Sequence, residues 1–144
     1  IFSIWKIIIN KNYISPNKNE QLYLLLLYLR IPYRNSARIA EGIEFYNKAV
    51  SFFMARKNSF LVSICYFVLD GLYYNIGLLE QAVYSGKKSL QFNHENKNFN
   101  DDLLFGRRFN SRLRYLIITT GIADKLSQLG KINEALGFSH EALK

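Results

Sequence analysis

The stretch GLLEQAVYSGKKSL, Gly77 to Leu90, lies without gaps over GKINEALGFSHEAL, Gly130 to Leu143. Gly77 matches Gly130, Ala82 matches Ala135, Ser89 matches Ala142 and Leu90 matches Leu143, while the apolar Leu79 and Val83 match Ile132 and Leu136. Each match has a physical reason. The glycine ends one helix in the left-handed conformation and lets the chain reverse. The alanine five positions on sits where two antiparallel helices approach most closely, and a larger side chain there would wedge them apart. The small residue and the leucine two turns later share that face and are expected against the next helix.

Working outward, each copy is preceded by a second helical segment. Leu61 to Ile76 is an apolar run too long for a typical strand, which predicts a buried helix ended by Gly77. A further helix is expected from about Leu79 to Phe92. Arg112 to Leu129 and Lys131 to Lys144 form the last pair, split by Gly130. Between the two pairs, NHENKNFN (Asn93 to Asn100) reads as a polar loop that contains His94. Upstream, Ile39, Ile43, Tyr46, Ala49, Val50 and Phe53 recur at helical spacing, with Ser36 as the expected N-cap and Lys48, Arg56 and Lys57 near the C-terminal end of the dipole. Asn58-Ser59 breaks that pattern. The first quarter holds both prolines, Pro16 and Pro32, and a leucine-rich stretch, Glu20 to Arg30, that favours helix. The expected organisation is an N-terminal segment over 1–35, helical or irregular, then a helical-repeat domain over 36–144 with a long loop at about 93–111.

These positions resemble the tetratricopeptide repeat family, whose unit is about 34 residues long. In the first unit Tyr66, Leu69 and Tyr73 match its large first-helix positions, followed by Gly77, Ala82, Ser89 and Leu90. In the second, Ile122, Ala123 and Leu126 match, followed by Gly130, Ala135, Ala142 and Leu143. An earlier, more degenerate unit would place Leu22 to Arg30 in its first helix and Gly42, Tyr46, Ala49 and Val50 in its second. The departures are specific. Asp70 stands where the family has a small residue, Thr119 where it has a bulky one, and Gly86 and Ser139 where an aromatic is usual. Gly77 and Gly130 are 53 positions apart, so Asn93 to Ser111 are additional. The resemblance implies an all-α fold of antiparallel helix pairs stacked as an α-solenoid, a right-handed superhelix.

It also implies a function. First helices of such an array line its concave side and bind a peptide or another protein. The groove positions implied here are Phe67, Gly71, Tyr74 and Asn75 in one unit and Thr120, Asp124, Ser127 and Gln128 in the next. The lysine and asparagine pattern with which family members clamp a terminal carboxylate is not reproduced at these positions. The expectation is therefore a scaffold or adaptor module with a protein partner. A second reading comes from Arg107, Arg108, Arg112 and Arg114, interleaved with Phe109 and Tyr115. Arginine forks and aromatic faces suit phosphates and bases, which would make the chain part of a nucleic-acid-associated regulator. A third is a self-associating array, with Leu136, Phe138 and Leu143 docking on a following helix or a second copy.

The 144 residues are 49% hydrophobic and 15% aromatic, which rules out disorder and allows one domain with its own core. A net charge of +8 draws acidic partners by field alone and does not choose among nucleic acid, membrane and peptide. The apolar runs Ile1 to Ile9 and Leu22 to Ile31 are too short to span a bilayer. Catalytic chemistry finds no foothold. His94 and His140 have no metal-ligand neighbours at useful spacing, and no phosphate loop or nucleophile motif is present. The single Cys65 lies in an apolar run, as core rather than nucleophile, and points to a reducing compartment such as the cytoplasm. Glu41 with Glu44, and Asp101 with Asp102, read as solvated or capping carboxylates. No cofactor, metal or enzymatic activity is expected.

Overall fold

The computed structural model describes Tyr33, residues 37–94 and residues 111–143. Among these the fold is all-helical. Its helices are α1 (Ile39–Ala55), α2 (Ser59–Asn75), α3 (Leu79–His94), α4 (Ser111–Gln128) and α5 (Ile132–Ala142). Each packs chiefly on its neighbours in sequence. The proposed first helix of the degenerate unit, at Leu22 to Arg30, lies outside the described residues, as do Ser36, Asp101 and Asp102.

Three short turns fold α1 onto α2, α2 onto α3, and α4 onto α5, and all three use one hydrogen-bond pattern. At the middle turn Gly77 N donates to Tyr74 O at 3.0 Å and Leu78 N to Tyr73 O at 3.0 Å. At the last, Gly130 N donates to Ser127 O and Lys131 N to Leu126 O, both at 2.9 Å. At the first, Lys57 N donates to Met54 O at 2.9 Å and Asn58 N to Phe53 O at 3.0 Å. This closure needs a left-handed residue: Gly77 has φ 77°, Gly130 φ 74°, and Lys57 φ 54°. The expected glycines thus do their work, and a lysine does the same work where the sequence offers none. Opposite effects are expected from two exchanges. Lys57→Gly should stabilise, and Gly77→Ala should destabilise by about 1–2 kcal/mol, read from urea midpoints.

The core follows from which faces are apolar. α1 buries Gly42, Phe45, Tyr46, Ala49, Val50 and Phe53, while Ile39 and Ile43, expected on the same stripe, are only half-buried. The stripe is rotated because Tyr33 packs over it, its ring 6.1 Å from Phe45 and 6.5 Å from Tyr46. The α1 charges lie outside: Glu41 pairs with Arg38 and Glu44 with Lys48, so the two glutamates do not meet. Beyond the helix end, Arg56 Nη1 donates to Phe52 O at 3.1 Å.

α2 is buried from Phe60 through Cys65 without a break, as a helix covered on several sides must be. Asn58 caps it by accepting from Leu61 N at 3.1 Å. Cys65 is fully buried, and burial pushes its thiol up, so it is core as expected. Ser89 corrects one expectation. It packs on the preceding helix, where Ser63 Oγ donates to Ser89 O and Ser89 Oγ to Ser63 O, both at 2.9 Å. Two small side chains that satisfy each other let α2 and α3 approach closely. A second apolar cluster, Val83, Leu90, Ile118, Ile122, Leu126 and Ala135, joins α3, α4 and α5.

His94 is a further correction: it is the last residue of α3, which runs past Phe92, and not part of a loop.

Candidate interaction surface

The expected groove positions fall on two helices, α2 and α4, which meet directly through a buried ion pair. Lys125 Nζ donates to Asp70 Oδ2 at 3.0 Å and lies 2.8 Å from Oδ1, with Asp70 5% and Lys125 8% exposed. Nζ also donates to Gly121 O at 3.2 Å and lies 5.5 Å from the centre of the Tyr74 ring. Oδ1 has no aligned hydrogen bond despite its short distance to Nζ. Burial raises the Asp70 carboxyl above the usual aspartate range, and the nearby ammonium offsets this only in part. This pair was not legible in the sequence, where the two residues are 55 positions apart.

The pair also bounds the space beside Gly86. A Cβ at Gly86 would lie 2.9 Å from Ile122 Cγ1 and 3.3 Å from Asp70 Oδ2. The space beside Gly86 is therefore occupied by Ile122 of α4 and the Asp70 carboxylate.

Above the pair lies an exposed polar ledge. Gln128 Nε2 donates to Asp124 Oδ2 at 2.9 Å and stands 3.5 Å from the Tyr74 hydroxyl. Tyr74, Asn75, Asp124, Ser127 and Gln128 are all exposed, and beside them Gly71 leaves open space where a side chain would stand. The structure thus brings Tyr74, Asp124 and Gln128 together. Phe67 is different. It is half-buried and packs against the second core cluster, so much of its ring is spent on packing. Thr120 is exposed, but its hydroxyl donates to Leu116 O at 2.7 Å within its own helix.

Of the arginine cluster, only the Arg114 side chain is among those described. Arg114 is 7% exposed, with its guanidinium 5.3 Å from the centre of the Phe60 ring and bonded to the Asn93 amide oxygen. It is built into the seam between α2, α3 and α4 and cannot present a fork to phosphate. Arg107 and Arg108 lie outside the described residues, as does the side chain of Arg112.

Of the residues proposed for self-association, Leu136 and Leu143 are exposed. Phe138 instead packs on the second cluster beneath Lys87 Nζ, 5.5 Å from its ring centre. Tyr115 donates to Glu141 Oε1 at 2.7 Å and ties α4 to α5. No group of three or more histidine, cysteine or acidic side chains is placed to hold a metal among the described residues. No described helix is long and apolar enough to cross a membrane.

No protein-family model matches the chain, and neither does any curated protein or solved structure.

Proposed function

We propose that this chain is a tetratricopeptide-like helical-repeat module, a scaffold or adaptor that binds a protein partner on the α2–α4 ledge. The observation that carries this reading is the juxtaposition of Tyr74, Asp124 and Gln128 across two helices, on a base made rigid by Asp70 and Lys125. An extended peptide backbone needs exactly paired donors and acceptors, and the Gln128 amide, the Asp124 carboxylate and the Asn75 amide supply both. Tyr74 adds an aromatic face with a polar end, the combination that anchors protein contacts. Arg114 buried against Phe60 weighs against reading the basic cluster as the functional surface.

The test is capture by the purified chain at low and moderate salt, with and without nuclease. A protein that survives both conditions is expected. A Tyr74→Ala, Gln128→Ala pair should weaken its capture by roughly tenfold or more, as loss of a contact hot spot does. Tyr84→Ala, on the exposed face of α3, should not. Recovery only of nucleic acid that is lost at moderate salt would overturn this reading.

A further inference from the structure

Among the described residues, Asp70, Arg114 and Lys125 are the side chains that are both charged and buried. All of them lie at one seam, where α4 seats on α2 and α3. Asp70 of α2 meets Lys125 of α4, and Arg114 of α4 lies against Phe60 of α2 and Asn93 of α3. Two exposed ion pairs tie the last hairpin to α3, Lys87 with Glu134 at 3.2 Å and Glu80 with Lys131 at 3.9 Å. Among the described residues, every ion pair between helices thus joins α4–α5 to α2–α3, and the remaining pairs lie along α1.

The seams within α1–α3 are built differently. α1 and α2 bury a continuous apolar and aromatic cluster that includes Tyr46, Phe53, Leu61 and Leu69. α3 is held on α2 by the reciprocal Ser63 and Ser89 bonds and by Phe92, stacked on Tyr66 with ring centres 5.9 Å apart.

This difference has an energetic consequence. Opening an apolar seam exposes its surface to water and recovers nothing. Opening a seam that buries charges returns their hydration, which offsets the lost attraction. The exposed pairs hold it only weakly. Cohesion between the hairpin and the rest therefore comes chiefly from Ile118, Ile122 and Leu126 against Val83 and Leu90. The least costly large opening of the fold lies at this seam.

We propose that α4 and α5 leave α1–α3 as one unit, in an opening that does not unfold the rest. The opening switches the ledge off. Tyr74 and Asn75 ride on α2, whereas Asp124 and Gln128 ride on α4, so the ledge exists only while the hairpin is seated. A partner that bridges the ledge selects the seated state. That consequence rests on the binding reading, and the opening itself does not.

Thiol labelling of the 144-residue chain carrying Val83→Cys tests this, with the labelled sites resolved by mass spectrometry. Position 83 lies under α4 and the native Cys65 lies in the α1–α2 core, so one chain reports both events. The thiol at position 83 is expected to react at least about tenfold faster than Cys65. Adding Val50→Ala, which shrinks a buried α1 side chain, should speed Cys65 about tenfold and leave position 83 unchanged, because α1 stays packed when α4–α5 opens. Equal rates at the two thiols, or a Val50→Ala effect that reaches both, overturns the proposal. Should Val83→Cys cost the chain its helicity by circular dichroism, hydrogen exchange of the unaltered chain replaces it. The α4 and α5 amides should then share one protection level, at least about tenfold below that of α2. A single level through all the helices overturns the proposal equally. No partner enters these rates, so they can fail or hold independently of the capture experiment.

Discussion

Asp70→Ala is expected to destabilise the fold by about 3–5 kcal/mol, and adding Lys125→Met should restore most of that loss. The reason is the asymmetry of a buried ion pair. Taking two charges out of water costs as much as their attraction returns, so removing both is nearly neutral, whereas removing one strands the other. Lys125, 8% exposed, would keep only the Gly121 carbonyl and the Tyr74 ring as partners. Lys125→Met alone should be similarly costly, because it leaves the Asp70 carboxylate buried with no cation. Urea unfolding of the four chains of the cycle gives the coupling directly. If the double variant is as unstable as the sum of the singles, the pair is not acting as a unit.

The same pair sets a pH dependence of unusual sign. Burial, the larger influence, holds the Asp70 carboxyl above its ordinary value despite Lys125. The folded chain therefore binds that proton more tightly than the unfolded chain does. Stability from this group is fully present below the unfolded pKa and is lost as pH rises through the raised folded value. Relative to the Asp70→Ala, Lys125→Met chain, the parent should gain stability as pH falls through that window. Most acid-labile proteins lose it there.

How much of this was legible beforehand depends on whether the information was local. The turns at Gly77 and Gly130 were readable because a left-handed residue has a sequence signature, and the equivalent turn at Lys57 was hidden because lysine has none. The rotation of the α1 stripe depends on Tyr33 lying across Gly42, where an added Cβ would come within 2.8 Å of the Tyr33 side chain. That is a tertiary contact, invisible to periodicity. The shared face of Asp124 and Gln128 was readable from their spacing on one helix, whereas the approach of Tyr74 to Gln128 across two helices is a tertiary contact. Arg114 could not be placed. A basic side chain beside other arginines reads as solvated, and only packing against Phe60 and Asn93 shows it to be part of the seam. Nor could Asp70 be connected to Gly86 from the sequence: the carboxylate lies 3.3 Å from where a Gly86 Cβ would stand, which only packing reveals.

That crowding carries the second large effect. Gly86→Phe should destabilise by at least about 3 kcal/mol or abolish folding. Even Gly86→Ala brings competing effects. The helix gains about 1 kcal/mol in propensity, against an overpacking cost of about 1–3 kcal/mol. Packing should win, because the two neighbours that a Cβ would crowd cannot yield. Ile122 is fully buried, and Asp70 is held by Lys125. The counterpart position supplies the control. Ser139 is exposed and lies on the α4–α5 groove, so Ser139→Phe should change stability by no more than about 1 kcal/mol. Pairing Gly86→Phe with Ile122→Ala should recover much of the loss by vacating the space the ring must enter. Thermal and urea melts of these four variants separate the readings. Equal tolerance at positions 86 and 139 would mean that α4 does not seat in the first groove as described. A large loss at 86 alone is the expected mark of a groove already filled in one unit and open in the next.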